Sequence, residues 1–164
     1  MMSLFDNSLY RWRETYFVFH KQAKRPTAEQ VKEALQELHQ TLELEDLKAD
    51  DQGKFVSATV MAPNAYAAMD IGFVVGEEVA EQMETLPAEL RDGAADDAER
   101  AKVRNLSDCD ARLDLLHFEM MVDFGDEDDE FVGGFDPGAL LAVMEALTEL
   151  CDGIGVDPAA AIVM

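Results

Sequence analysis

The chain has 164 residues and a formal net charge of −22, from 13 Lys and Arg against 35 Asp and Glu. That length suits one domain able to bury its own core. The charge excludes non-specific nucleic-acid binding and adhesion to anionic membranes, both driven by positive surface, and leaves cations and basic proteins as partners.

The charge is polarised along the chain. Residues 1–41 carry six Lys/Arg and five Asp/Glu, whereas the remaining 123 carry seven against thirty. Beyond Arg112 there are thirteen carboxylates and no basic side chain. Two causes produce such a composition: a basic partner, or adaptation to salt, whose ions screen the self-repulsion. The N-terminus lacks the basic-then-apolar order of a signal peptide. The longest near-apolar run, Gly138–Met144, is far too short for a membrane span. Cys109 and Cys151 outline no disulfide framework, so the expectation is a cytoplasmic protein with reduced thiols.

Taken in chain order, Glu14–His20 is a β-branched and aromatic run and reads as a strand. Thr27 and Gln30 form a capping-box pattern, and Val31, Leu35, Leu38 and Leu42 recur at helical spacing behind it. Lys54–Ala62 and Met69–Val75 read as strands separated by the Pro63-Asn64 break. Glu77 and Glu78 open a second helix with Val79, Met83 and Leu86 inward, which Pro87 is expected to stop. Residues 90–110 are polar and alanine-rich, a candidate mobile excursion holding at most a short helix. Ala111–Val122 reads as a long strand. Asp123–Glu130 places six carboxylates in eight residues, within an acidic loop over 123–135. Asp136 and Pro137 then start a third, largely apolar helix that Gly153 ends, and Ala160–Met164 is a candidate final strand.

This order, β-α-β-β-α-β with an α-β extension, matches the split arrangement of ferredoxin-like folds. The expectation is a single α+β domain over 1–164 with helices on one face of the sheet. With Phe17, Phe19, Ile71, Phe73, Leu116 and Phe118 turned to the helices, alternation leaves an open face too apolar for water. A second copy, the third helix or a ligand must cover it.

Four ionisable residues fall on that expected open face: His20, Asp70, His117 and Glu119. A histidine–carboxylate group of this kind suits small-molecule binding, acid–base chemistry or a metal. Asp126, Asp128, Asp129 and Glu130 form a candidate Ca²⁺ site, although the run lacks the EF-hand glycine and bidentate Glu, and weak Ca²⁺ association is the only cofactor expected. Arg11, Trp12, Arg13, Lys24 and Arg25 make the basic, aromatic neighbourhood, a candidate docking surface for an acidic part of this chain or another copy. Gly133-Gly134 fits neither GxxxxGK[ST] nor GxGxxG, and neither cysteine sits in a reactive motif. The leading expectation is an acidic non-catalytic interaction protein that engages a basic protein and dimerises through the open face. An enzyme using the His/carboxylate group and a divalent-cation binder are the alternatives.

Overall fold

The computed structural model describes residues 4–38, 41–121 and 138–164. Seven strands form one antiparallel sheet: β1 (Tyr10–His20), β2 (Glu43–Ala49), β3 (Phe55–Ala62), β4 (Ala67–Val75), β5 (Ala111–Met120), β6 (Ile154–Asp157) and β7 (Ile162–Val163). Their spatial order is β2-β3-β4-β5-β1-β6-β7. Among the described residues four α-helices accompany them: α1 (Ala28–Gln36), α2 (Glu77–Asp92), α3 (Asp97–Leu106) and α4 (Gly138–Cys151). The fold is α+β, as the sequence implies.

The ferredoxin-like topology is not what forms. That arrangement needs the first and third of the four long strands side by side; here β5 lies between β1 and β4 and separates them. Helices also cover both faces rather than one. On one face α1 and α4 bury Val31, Leu35, Leu140, Val143 and Leu147 against Val18, Val60, Met69, Ile71, Leu113 and Leu115. On the other, α2 and α3 bury Val79, Leu86, Leu90, Val103 and Leu106 against Phe19 and Val156. The N-terminal residues add Leu4 and Phe5 over Phe118, whose ring meets that of Phe5 edge-on at 4.9 Å. The apolar face left open in the sequence reading is therefore the seat of α1 and α4. Alternation fixes sides within a strand but not between strands. Phe73 pairs with Leu113 and Ile71 with Leu115, so both point away from Phe17 and Phe19.

Local chemistry accounts for most element boundaries. Thr27 Oγ1 accepts from the Gln30 amide at 3.0 Å, and the Gln30 side chain accepts from the Thr27 amide at 2.9 Å, completing the capping box. α1 ends at Gln36, earlier than its periodicity suggests, yet Leu38 and Leu42 still pack on the same core. β2 follows, a charged edge strand whose register shifts around Asp46, at φ +52°. Charges and an irregular register are what an exposed edge carries to discourage further pairing.

α2 runs on through Pro87 instead of stopping there. The ring removes one helical hydrogen bond, but burial of Leu86 and Leu90 on either side outweighs that loss. The 90–110 stretch is no loose excursion: Asp96 caps α3 by accepting from the Glu99 amide at 2.8 Å, and Val103 and Leu106 anchor it. After α4, Asp152 turns the chain at φ +49°, and Gly153 passes so near β1 that an added Cβ would lie 2.5 Å from the Phe19 carbonyl oxygen. That close approach leads into β6, a strand absent from the sequence reading.

Candidate functional site

The ionisable residues named from sequence separate in the fold. Asp70 pairs with Leu116, and His117 pairs with Met69, so Asp70 lies on the α2/α3 face while His20, His117 and Glu119 lie on the α1/α4 face. Asp70 accepts from Thr59 Oγ1 at 2.7 Å, and burial raises its carboxyl above the usual range. His20 is level with Ala111, six residues along β5 from His117. At about 3.4 Å per residue the two rings are about 20 Å apart. The four side chains therefore do not share one pocket.

What does assemble is a cluster drawn from two groups that the sequence kept apart. A register shift in β1 falls between Trp12 and Glu14, leaving Arg13 as a bulge. Arg11 pairs opposite Glu119, and the bulge lets Arg13 reach it too, so both guanidinium groups bind one carboxylate. Arg11 Nη2 donates to Glu119 Oε1, and Arg13 Nη1 donates to Oε2 at 3.1 Å. Glu119 is only 7% exposed, which explains the need for two cations around it.

Glu14 sits beside this pair and connects it to His117. His117 Nδ1 donates to Glu14 Oε1 at 3.2 Å, and the Tyr16 hydroxyl donates to the same oxygen at 3.1 Å. Burial lowers the His117 pKa despite the nearby Glu14, which keeps the ring neutral at neutral pH. Burial and Glu14 together push the Tyr16 phenol up to about 12. Glu14 and Tyr16 are not among the site residues expected from the sequence, because no motif marks them; only a bulge at Arg13 would have revealed the cluster. Chemically it is a set of charges and hydrogen bonds that stitches β1 to β5.

Arg25, His20 and Trp12 have structural partners as well. Arg25 donates through Nε and Nη2 to the Phe55 carbonyl at 3.1 and 2.8 Å, pairs with Asp50 at 3.2 Å, and lies 3.9 Å over the Phe73 ring. His20 is fully buried, its Nδ1 donates to the Lys21 carbonyl at 2.8 Å, and its ring lies 5.9 Å from that of Phe73. Trp12 is on the opposite face from Glu119, half exposed, with its indole N–H donating to Thr15. Lys24 lines a cleft of about 420 Å³ together with Lys21 and Lys102, faced by Asp108 and Asp152. Asp126, Asp128, Asp129 and Glu130 lie outside the described residues. Among the described residues no three His, Cys, Asp or Glu side chains gather as metal ligands, and no helix is long and apolar enough to cross a membrane.

One group was missed entirely. Arg112, 4% exposed on the α2/α3 face, donates to Asp114 at 2.6 Å, Gln82 at 2.7 Å and Glu78 at 2.8 Å, and lies 4.7 Å over the Phe17 ring. It fastens α2 to the centre of the sheet. Between α1 and α4, Ala34, Leu38, Ala142, Ala146 and Leu150 floor a groove of about 530 Å³ rimmed by Glu37, Glu145 and Glu149. No family model, no curated protein and no solved structure matches this chain.

Proposed function

We propose that this chain is an acidic, non-catalytic interaction protein whose partner is a basic protein. The observation that carries the reading is how four of the seven arginines are used. Arg11 and Arg13 are held by Glu119, Arg25 by Asp50, and Arg112 by Asp114 and Glu78. With these charges engaged inside the chain, a net −22 is presented outward largely unrelieved. Such a surface attracts polycationic partners over a Debye length and repels phosphates. Self-association through an uncovered sheet face forms no part of this reading, since α1 and α4 occupy that face.

Affinity capture on the immobilised full-length protein tests it. Basic proteins are expected in the retained fraction, released progressively as salt rises. Retention of neutral or acidic proteins, insensitive to salt, would overturn the reading.

A further inference from the structure

We infer that the groove between α1 and α4 is the docking site for an amphipathic helix bearing lysine or arginine beside an aliphatic stripe. The inference rests on the basic-partner reading and gives that partner a place and a shape.

Two features point there. The first is the groove's own composition. Its floor is aliphatic, from Ala34 and Leu38 of the α1 end and Ala142, Ala146 and Leu150 of α4, and its rim carries three carboxylates and, among the described residues, no cation. The small alanines leave the space, about 530 Å³, that a partner's aliphatic side chains would fill. An apolar floor is what an amphipathic helix lays its apolar face into in helix-in-groove recognition, and a rim of carboxylates complements cations flanking that face.

The second is electrostatic frustration at the helix ends. Neither α1 nor α4 has a basic residue in its last turn, where the macrodipole is negative and a cation is normally placed. Carboxylates stand there instead: Glu37 is the C-cap of α1, and Glu149 lies in the final turn of α4. Both helix ends and all three rim carboxylates thus add negative potential to the same groove. Among the described residues that line the groove there is no Lys or Arg, and α4 contains none from Gly138 to Cys151. A partner's cations would relieve that potential.

The same charges decide between occupants. The chain's own segment 123–130 carries six carboxylates and no basic residue, so it would be repelled. A second copy brings another −22 to a surface already acidic. A basic amphipathic helix meets the rim with opposite charge and the floor with apolar area.

The test uses the full-length protein and two synthetic peptides of identical leucine and lysine composition. One is ordered as an amphipathic helix and the other is scrambled so that no face forms. Binding by calorimetry is expected to favour the amphipathic order by about tenfold or more, equal to about 1.4 kcal/mol. Ala146→Trp, which fills the floor, and the double variant Glu145→Gln/Glu149→Gln, which leaves the floor open, should each erase that preference. Far-UV circular dichroism checks both variants for folding, and the double variant changes only exposed side chains. Equal, salt-sensitive binding of both peptides overturns the groove while leaving the basic-partner reading intact. A preference that survives both variants overturns it too, and failure of both peptides to bind at low salt removes the groove and the broader reading together.

Discussion

Replacing Arg112 by Met removes the fastening between α2 and the sheet while keeping an apolar stem over Phe17. Three losses can be weighed from the geometry. The Asp114 contact, at 2.6 Å with side chains 5% and 21% exposed, is a charge-assisted bond worth about 1.5–3 kcal/mol. The Gln82 bond adds about 0.5–1.5 kcal/mol. Glu78 is 69% exposed, and such a pair contributes about 0–1 kcal/mol. The methionine recovers part of the packing, so the expected loss is about 2–4 kcal/mol, a large share of a domain's stability. Burial already raises the Asp114 carboxyl, against the pull of Arg112; without the guanidinium it rises further. The deficit should therefore be largest at neutral pH and shrink in acid, where a protonated Asp114 needs no cation. Asp114→Asn in the Arg112→Met background should restore about 1–2 kcal/mol at neutral pH. Urea unfolding followed by far-UV circular dichroism, at neutral pH and near pH 4, reads all three. A loss below about 1 kcal/mol, or one that does not diminish in acid, would refute the reasoning.

Three other outcomes are expected. Gly153→Ala places a Cβ 2.5 Å from the Phe19 carbonyl oxygen and 3.1 Å from Val18 Cγ1, so overpacking should destabilise by about 1–3 kcal/mol; an unchanged melting temperature would contradict that close approach. Burial lowers the His20 pKa below the ordinary 6.5, so the folded chain binds fewer protons than the unfolded one in that window. The stability His20 contributes is then complete above pH 6.5 and is lost as pH falls through the lowered value; His20→Phe should flatten the urea-midpoint slope there, and identical slopes would refute it. Burial and Asp108 push the Cys109 thiol up to about 11, and burial pushes Cys151 to about 12. Iodoacetamide at neutral pH should label either thiol about 100-fold more slowly than a free cysteine until urea is added; rapid labelling of the native protein, read by mass spectrometry, would show the thiols are not so protected.

The candidate site was legible only in fragments. His117 and Glu119 are two residues apart on one strand, and alternation alone puts them on one face. Their partners, Arg11 and Arg13 for Glu119 and Glu14 for His117, lie more than a hundred positions earlier, and the link depends on a bulge at Arg13 that no residue type announces. Asp70 was grouped with the histidines because its strand was turned the wrong way, a choice that alternation within β4 leaves free. Arg112 was readable as the last basic residue of the chain, but its role depends on α2 lying over β5.

Local chemistry by itself determined that the chain is α+β, where the long strands run, how α1 is capped, and that the exterior is acidic. Each of these follows from side-chain type and from spacings of two or about 3.6 residues, which need no distant partner. The tertiary structure alone decided that β5 separates β1 from β4, that helices clad both faces, that α2 survives Pro87, and that the charged segment Glu43–Ala49 becomes an edge strand. These outcomes turn on pairing and burial between segments far apart in sequence, where the hydrophobic gain of the whole arrangement outweighs local preference.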